Sequence, residues 1–567
     1  MNRFSRRFRL MSAAGALAAI VSVQTVAALP AAPARAAPSQ PSRAPSKPFN
    51  VIYVLVDDLR FDSMGFLTPG LKTPNIDFMA RNGVYFPNAV VTSSLCSPSR
   101  ATILTGETTR NHGIVDNNNS SEAGLTFFPE YLQKAGYQTA FFGKWHMGQN
   151  NDNPRPGFNK WVSFKGQGTY FPNDYVPPDL LRKGVLNRLN VDGTEVNRQG
   201  YITDELTDYA MDWLTKGRDQ SKPFFLYLSH KGVHTDPKPP ERYLHQYDNL
   251  PVTLPASMAD TPENYQGKPR WVKDQRNSWH GVDFMFNGNE PLTSYIRRYF
   301  ATLSPIDDSL GRILTYLKQN KLDRNTVVIF TSDNGFQFGD HGLIDKRTAY
   351  EPSVRVPFVM YAPGLLPKGV TNPGLIRNLD LAPTVLDIAG VPEPSQFEGK
   401  SFLPLAEGKL PPSQWKPGDF IYEYYWEWNY PETPTTFAIE RDRVKYIQYY
   451  GVWDTEELYD LDKDPNEMNN LINNPAYLDR KIELRKALFE QLANRTGQHV
   501  IPYSEKFNEG VVKRNKDGSK PGEFPPQWMS SPNRYDRYND LFPDSREKLD
   551  ADRRKVPYIR WDLLFGA

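Results

Sequence analysis

Four short apolar runs, each followed at once by polar residues, constrain the fold of this chain more than any other feature. They lie in the segments NVIYVLVDDLR, QTAFFGKWHMG, PFFLYLSHKGVH and NTVVIFTSDNG. Near-continuous apolar strands of this kind are typical of parallel sheets that are buried on both faces. Helical patterns lie between them, for example at 296–320 and 375–390. Because strands and helices alternate, the sequence predicts an α/β fold with a central, mostly parallel sheet flanked by helices.

Polar side chains follow all four predicted strands. They are Asp57 and Asp58, then Lys144 and His146, then His230 and His234, and finally Asp333 and Asn334. In a parallel sheet the carboxyl ends of the strands meet at one edge, and the binding sites of α/β folds lie there. One such cluster alone is more often a solvated loop, whereas four clusters at four strand ends indicate a common site.

The residue types at these ends suit a cation and an anion together. The oxygen ligands that Ca²⁺ or Mg²⁺ prefers are supplied by Asp57, Asp58, Asp333 and Asn334. Zinc more often takes histidine or thiolate ligands. Cationic or proton-transferring groups are expected at the same edge, namely Lys144, His146, His234 and Lys346. This combination favours a substrate with several anionic oxygens, such as a sulfate or phosphate ester.

The segment SSLCSPSRATILTG contains Cys96, the only cysteine among 567 residues. Ser97 fits an N-cap, Pro98 the first turn and Gly106 the end of a helix. Cys96 is therefore expected just ahead of a helix N-terminus, where backbone N–H groups favour anions, with Arg100 in the first helical turns. A lone cysteine is either a buried apolar residue or a reactive group, and this placement favours the reactive group.

The first 36 residues have the three parts of a cleaved export signal. These are a basic region, an apolar run at 11–29 and a small-residue cleavage site, Ala-Arg-Ala, at 34–36. The adjacent arginines at 6 and 7 are found in signals of the twin-arginine route. Ser, Gln and Thr interrupt the apolar run, which disfavours a membrane anchor. We expect an exported protein, periplasmic or secreted, with no stable membrane span and a Pro/Ser/Ala-rich linker at 37–48.

The charge balance bears on the partners. Sixty-seven basic and 65 acidic side chains give a net charge of +2. A nucleic-acid-binding protein usually shows a basic face or stripe, so this balance argues against a nucleic-acid partner.

The character of the sequence changes after about Pro412. In FIYEYYWEWNY a period-two pattern places Tyr422, Tyr424, Trp426 and Trp428 on one face of a strand, for which core packing is the leading interpretation and sugar stacking the alternative. Strand-like VKYIQYYGVW and a helical pattern at 479–495 follow. We predict a main domain at 49–412, a smaller subdomain at 413–496 and a C-terminal extension at 497–567.

The segment CSPSRATILTG resembles the signature of the type I sulfatases, in which cysteine-x-Pro-Ser-Arg is followed by Thr-Gly. VDDLR, GKWHMG, SDNG and DKRTAYE occur in the order found in that family, and the resemblance covers about residues 49–471. It implies a sulfatase with an alkaline-phosphatase-like sandwich and a smaller C-terminal α+β subdomain, in which one helix packs on an antiparallel sheet.

The resemblance also implies a role for each site residue. Cys96 would be converted to formylglycine by a formylglycine-generating enzyme, and its hydrate would be the nucleophile. Ca²⁺ would be bound by Asp57, Asp58, Asp333 and Asn334. Arg100, Lys144 and His146 would hold and activate the formylglycine. His234 and Lys346 would contact the sulfate and its bridging oxygen.

The substrate is the least constrained feature. SDNG, DKRTAYE and YYGVWDTEELYDLDKDPNEMNNL resemble the branch that acts on 6-sulfated N-acetylglucosamine and related sulfated glycans, which implies a carbohydrate exo-sulfatase. Trp279 and His280 lie in a long segment of the kind that shapes specificity. An arylsulfatase, or a phosphodiesterase or phosphonate monoester hydrolase of the same superfamily, is an alternative. A non-catalytic protein that binds sulfated glycans is an alternative of another class.

Overall fold

The computed structural model describes residues 48–515, except for internal gaps at 119–121, 123, 148–150, 179–180, 182–186, 286–289, 451–453, 495–497 and 503–510. The predicted export signal, nearly all of the predicted linker and most of the predicted C-terminal extension therefore lie outside the described residues. Within the described part of the chain, no helix is long and apolar enough to cross a membrane.

The strands of the described residues form one large sheet and three small ones. In chain order the strands are β1 Asn50–Val56, β2 Val84–Tyr85, β3 Ala89–Val90, β4 Gln138–Lys144, β5 Lys160–Phe164, β6 Arg188–Val191, β7 Thr194–Asn197, β8 Phe224–Ser229, β9 Thr326–Ser332, β10 Phe358–Tyr361, β11 Val370–Thr371, β12 Ile376–Arg377, β13 Phe420–Tyr424, β14 Thr435–Arg441, β15 Val444–Tyr450, β16 Glu457–Asp460, β17 Gln498–Pro502 and β18 Val511–Asn515. The four apolar runs singled out in the sequence are β1, β4, β8 and β9.

The ten strands of the large sheet have the order β11-β2-β10-β9-β1-β8-β4-β5-β6-β7. Its centre, from β9 through β1, β8 and β4 to β5, is parallel. Strands β10, β6 and β7 pair in antiparallel fashion toward the two edges. The four predicted strands are therefore neighbours in the sheet, and their carboxyl ends meet at one edge.

Helices cover both faces of the large sheet. In chain order, the α-helices of the described residues are α1 Pro74–Asn82, α2 Cys96–Thr105, α3 Thr109–His112, α4 Phe128–Lys134, α5 Ile202–Asp212, α6 Pro262–Tyr265, α7 Arg270–Asp274, α8 Leu292–Gln319, α9 Glu351–Val354, α10 Leu381–Ala389, α11 Leu403–Ala406 and α12 Leu478–Asn494. Alternate residues of β1 enter different cores: Val54 and Val56 pack with α1, α5 and α8, whereas Tyr53 and Leu55 pack with α2, α4 and α10. Burial on both faces explains why the strands are apolar without alternation.

One predicted helix is shorter than its sequence pattern suggests. The pattern at 375–390 is helical only from Leu381 to Ala389, because Ile376–Arg377 forms β12, which pairs with β3. The Asp380 carboxylate accepts hydrogen bonds from the backbone N–H and the side chain of Arg377, at 2.9 and 3.0 Å. This local bonding holds a turn ahead of the helix in place of further helical residues.

The C-terminal part contains a separate antiparallel sheet of order β13-β14-β15-β16. Tyr422 and Tyr424 on one face pack against Leu95 and neighbouring residues of the main domain. On the other face, Ile421 and its neighbours pack against α12 through Leu484 and other apolar residues. Strand β13 ends at Tyr424, so the prediction that Trp426 and Trp428 continue its face is wrong. The predicted fold class is confirmed, and the exact domain boundaries stay predictions.

Candidate active site

The carboxyl-terminal edge of the parallel strands carries the candidate site. Asp57 and Asp58 follow β1 directly, and Asp333 follows β9. The Asp57 N–H donates to Gly232 O at 3.0 Å, and its carbonyl accepts from Val233 N at 2.9 Å. The turn after β8 is thereby fixed against the turn after β1. Asp58 adopts a left-handed conformation, with φ of 62°.

The acidic residues form a compact, fully buried cluster. Carboxylate oxygens of Asp57, Asp58 and Asp333 lie within 4.8 Å of one another. The Asp58 N–H donates to Asp333 Oδ1 at 3.1 Å, and Asn334 Nδ2 donates to Asp58 Oδ1 at 2.8 Å. Among the described residues, the buried Asn334 Oδ1 has no hydrogen-bond partner. Three close carboxylates beside an unpartnered amide oxygen fit a hard cation such as Ca²⁺.

Each carboxylate of this cluster contacts a cationic side chain. Lys144 Nζ donates to Asp57 Oδ2, and Lys346 Nζ donates to Asp58 Oδ1 and Oδ2 at 2.7 and 2.5 Å. Arg100 Nε donates to Asp333 Oδ2 at 2.9 Å. Burial acts to raise the pKa of Asp57, but the charges led by Lys144 outweigh it and hold that pKa well below its usual range. The carboxylates of the cluster therefore have counter-charges in place.

Cys96 lies at the centre of this arrangement. Its Sγ is 3.5 Å from Asp57 Oδ1 and 3.9 Å from Asp58 Oδ1, and the residue is fully buried. Burial raises the pKa of the Cys96 thiol, with Lys144 and Lys346 opposing the shift only in part. The unmodified side chain is therefore a neutral thiol at physiological pH rather than a reactive thiolate.

The start of α2 differs from the prediction. Cys96 is the first residue of the helix and Leu95 is its N-cap, so the prediction of Ser97 as the N-cap is wrong. Ser97 Oγ donates to the His146 carbonyl at 2.5 Å, and the Ser97 N–H donates to Asn117 Oδ1 at 3.0 Å. Ser97 thus connects the helix to the end of β4 instead of capping it. Gly106 ends the helix in the left-handed conformation, as predicted.

The two histidines of the predicted site occupy different positions. His146 lies beside Ser97 Oγ, with Nδ1 at 3.3 Å. His234 Nδ1 is 2.7 Å from Thr235 O and can only donate there, while its Nε2 lies 3.8 Å from Asp58 Oδ2. Burial, followed by the charge of Lys144, lowers the pKa of both imidazoles. His230 is also buried, and neither of its ring nitrogens has a hydrogen-bond partner among the described residues. His234 is therefore the histidine of this turn whose ring the structure places next to the acidic cluster.

Several residues that support the site were not predicted from the sequence. Gln167 Oε1 accepts from Lys144 Nζ at 2.5 Å, from a loop after β5. Ser229, the last residue of β8, accepts from Arg100 Nη1 at 2.7 Å and donates to Lys144 O at 2.8 Å. Asn378 Nδ2 donates to Ser99 Oγ at 2.9 Å. The position of Ser229 at a strand end could have identified it. Gln167 lies in a loop without a pattern, and Asn378 lies in a segment that was predicted to be helical.

A second group of polar residues flanks Lys346. Arg347 pairs with Asp345 and with Glu427, and its guanidinium lies 3.9 Å from the centre of the Tyr430 ring. His280 Nδ1 is 3.6 Å from Asp345 Oδ2. The loop that the sequence marked as a candidate specificity segment therefore reaches the neighbourhood of Lys346. Trp279 beside it is 40% exposed.

Comparison with known proteins agrees with this geometry. Residues 49–391 match the family model described as Sulfatase, and residues 339–494 match the one described as N-sulphoglucosamine sulphohydrolase, C-terminal. Over 502 residues, the chain is 31% identical to the N-acetylglucosamine-6-O-sulfatase of Bacteroides thetaiotaomicron. The alignment covers 78% of this chain and 86% of that relative.

Two solved structures have the same fold. A structure in complex with its substrate, D-glucosamine-2-N,6-O-disulfate, has a TM-score of 0.70 at 29% identity, covering 78% of this chain and 97% of that one. The phosphonate monoester hydrolase of Agrobacterium radiobacter has a TM-score of 0.61 at 21% identity, covering 83% of this chain and 100% of that one. The second likeness concerns the fold alone.

The sheet, its edge cluster and the family matches define an alkaline-phosphatase-like hydrolase. The chain belongs to the sulfatase family. The prediction that it is an enzyme acting on sulfate esters is confirmed.

Proposed function

We propose that this chain is a carbohydrate exo-sulfatase that uses formylglycine at position 96 and Ca²⁺ to remove sulfate from 6-sulfated N-acetylglucosamine or related sulfated glycans. The observation that carries the proposal is the position of Cys96 Sγ, which is 3.5 Å from Asp57 Oδ1 inside the acidic cluster. The identity to the bacterial N-acetylglucosamine-6-O-sulfatase supports the substrate class.

Two groups beyond the encoded side chains are part of this proposal. Ca²⁺, held by Asp57, Asp58, Asp333 and Asn334, would supply positive charge for the sulfate oxygens. Formylglycine, made from Cys96 by a formylglycine-generating enzyme in the exporting cell, would supply a geminal pair of hydroxyl groups, one as nucleophile and one for release of sulfate.

The encoded residues provide orientation and charge. Arg100 donates to Asp333, to the Lys144 carbonyl and to Ser229, and so holds the ends of three strands around position 96. Lys144 places a positive charge beside Asp57, and His146 lies next to the helix that carries position 96. Charges that are fixed before the reaction stabilise negative charge developing on a sulfate at little reorganisation cost.

Lys346 and His234 form the part of the site that faces the leaving group. Burial acts to lower the pKa of Lys346, but Asp58 outweighs it and raises that pKa well above its usual value, so the ammonium stays charged. His234 presents Nε2 toward Asp58 while Thr235 O holds its Nδ1. We assign to this pair the contact with the bridging oxygen, and to the Lys346 ammonium the proton that the departing alcohol takes up.

The first experiment tests the nucleophile. Protein produced with a formylglycine-generating enzyme is digested with trypsin, and the mass of the peptide containing Cys96 is measured. An aldehyde or its hydrate is the expected result, together with sulfate release from N-acetylglucosamine-6-sulfate. An unmodified thiol despite competent co-expression, with sulfate release unimpaired, would contradict the proposed mechanism.

The alternatives are separated by substrate and by one substitution. An aryl sulfate and an aryl phosphate diester, compared at equal concentration, distinguish a sulfatase from a phosphodiesterase. Cys96→Ala is expected to abolish turnover while cation binding persists, because the four proposed oxygen ligands of the cation belong to Asp57, Asp58, Asp333 and Asn334. A binding protein without catalytic function would keep its affinity for sulfated glycans and show no turnover with Cys96 intact.

A further inference from the structure

Lys231 is a buried cation for which the described residues offer no carboxylate partner. It lies in the turn between β8 and His234 and is only 4% exposed. Its Nζ lies 4.5 Å from the centre of the Tyr170 ring, which is the contact that the structure gives this ammonium group. A cation over an aromatic face is stabilised, but by less than a paired charge. Burying a charge without an anion is strongly unfavourable, so an anion bound beside this ammonium would stabilise it.

The other cations around the cluster already contact carboxylates. Lys144 contacts Asp57, and Lys346 contacts Asp58. Lys231 differs because no carboxylate of the described residues lies within ion-pair distance of it. Burial, with the charge of Lys144 next, lowers the pKa of Lys231 to about 8.

The backbone fixes Lys231 relative to the site. Gly232 O and Val233 N, the next two residues, hydrogen-bond to the backbone of Asp57. The Tyr170 hydroxyl, on the ring that supports the ammonium, donates to His234 O at 2.6 Å. Lys231 is therefore anchored from two sides, next to the histidine assigned to the leaving group but outside the set of side chains that contact Asp57 and Asp58.

We propose that Lys231 binds a second sulfate of the substrate, in addition to the sulfate that is removed. The inference rests on the proposed function and deepens it, because it assigns a preference for substrates that carry two sulfates on one sugar. The scissile sulfate has Lys144, Lys346 and His234 beside it. Lys231 is three residues before His234 on the same turn, and its ammonium lies over the Tyr170 ring, whose hydroxyl donates to His234 O. We therefore assign to it a sulfate on the same sugar, beside the one that is removed.

The test compares N-acetylglucosamine-6-sulfate with D-glucosamine-2-N,6-O-disulfate. Lys231→Met removes the charge and keeps the length of the side chain. We expect the KM for the disulfated sugar to rise about tenfold or more, since a charge-assisted contact is typically worth more than one factor of ten. The kcat for both sugars, and the KM for the monosulfated one, stay within about twofold. Lys231→Arg is expected to keep the preference for the disulfated sugar.

A matched control removes the same charge nearby. Lys238→Met, seven residues along the same loop, loses an ammonium that is partly exposed and paired with Asp174. It is expected to change neither KM. Lys231→Gln repeats the comparison if Lys231→Met does not fold.

Two results would overturn the inference. An equal rise in KM for both sugars would mean that Lys231 contacts the scissile sulfate or only supports the fold. An unchanged ratio of the two KM values would exclude an anion contact. Calorimetric binding of the disulfated sugar to Cys96→Ala, with and without Lys231→Met, decides the same question without turnover. If the wild-type enzyme released no sulfate from either sugar, the proposed function would fail, while the binding comparison would still test Lys231.

Discussion

Arg100 contacts one oxygen of Asp333 twice: its Nε donates to Oδ2 at 2.9 Å, and its Nη2 lies 2.7 Å from the same oxygen as an ion pair. Its Nη1 donates to Lys144 O and to Ser229 Oγ, at 2.6 and 2.7 Å. A single guanidinium thus joins α2 to the ends of β9, β4 and β8, and it does so with 1% of its side chain exposed. Only a planar group with several donors can make these contacts at once.

Replacing Arg100 tests this junction. Arg100→Lys keeps the charge but loses the several donors of the planar guanidinium. We expect kcat/KM to fall about 100-fold or more, because the strand ends are no longer held together. Arg100→Met leaves Asp333 buried without its partner and is expected to lower the free energy of unfolding by about 3–5 kcal/mol. Enzyme kinetics and urea unfolding measure the two effects.

A surface arginine gives the control for these variants. Arg441 pairs with Asp419 and is 32% exposed in its side chain. Arg441→Lys is expected to alter stability by less than about 1 kcal/mol and to leave kcat/KM unchanged. An Arg100→Lys enzyme with wild-type kinetics would show that the junction is dispensable.

Cation removal is expected to destabilise the protein. Without a cation, the mutually close carboxylates of Asp57, Asp58 and Asp333 repel one another in a buried environment. A ligand that binds the folded state at 100 times its Kd stabilises that state by about 2.7 kcal/mol. We expect Ca²⁺ to raise the Tm relative to protein in EDTA, and Asp333→Asn to reduce the increase. Equal melting in Ca²⁺ and in EDTA would contradict the proposed site.

Several features of the site were predictable from sequence because each lies at the end of a buried strand. Asp57, Lys144 and Asp333 needed only the strand pattern and the rule that such ends converge. The role of Ser97 was not predictable, since its hydroxyl bonds to His146 O, 49 residues away in sequence, instead of capping its own helix. The choice between His230 and His234 depends on a turn whose direction is set by hydrogen bonds to Asp57.

The structure also explains why Gln167 and Asn378 were missed. Gln167 contacts Lys144 from a loop without periodicity, and Asn378 contacts Ser99 from the part of the predicted helix 375–390 that is not α-helical. An amide also carries no charge that would mark it as functional. Contacts of this kind arise from the tertiary packing of loops, which local secondary-structure propensity does not predict. The order of strands in the sheet decides which loops meet, and the sequence pattern alone did not fix that order.

Buried histidines predict that the protein loses stability in acid. The pKa of each of six histidines is lowered, chiefly by burial: His112, His146, His230, His234, His280 and His341. A histidine with a lowered folded-state pKa contributes stability above about pH 6.5, and that stability is lost as the pH falls toward the folded-state value. We expect the Tm to fall steadily below pH 6.5.

His112 is the histidine with which to measure this effect. Its pKa is lowered to about 3, its Nδ1 accepts from Ile114 N at 3.1 Å, and its Nε2 lies 3.1 Å from Thr102 Oγ1. His112→Asn is expected to lower the slope of unfolding free energy against pH, between pH 6 and 4.5, by about 1.4 kcal/mol per pH unit. His245→Asn, an exposed control, should keep the wild-type slope. An unchanged slope for His112→Asn would mean that this imidazole titrates alike in both states.

Glu457 on β16 connects the C-terminal sheet to the main domain. Its carboxylate accepts hydrogen bonds from the hydroxyls of Tyr350, Tyr449 and Tyr459 and from Lys268 Nζ, the last at 3.2 Å. Lys268 and Glu457 are both buried, with side chains 1% and 0% exposed. Replacing one partner of a buried pair leaves an uncompensated charge, which typically costs about 3–5 kcal/mol.

Glu457→Gln is therefore expected to lower the free energy of unfolding by about 3–5 kcal/mol and to speed hydrogen exchange in β13 to β16. The double variant Glu457→Gln/Lys268→Met removes the stranded charge as well, so it should be more stable than the single variant. Glu456→Gln is the matched control, because Glu456 faces Arg485 at the surface, where exposed pairs contribute about 1 kcal/mol or less. A double variant no more stable than Glu457→Gln would show that the tyrosine hydrogen bonds, rather than the charge pair, hold the C-terminal sheet on the main domain.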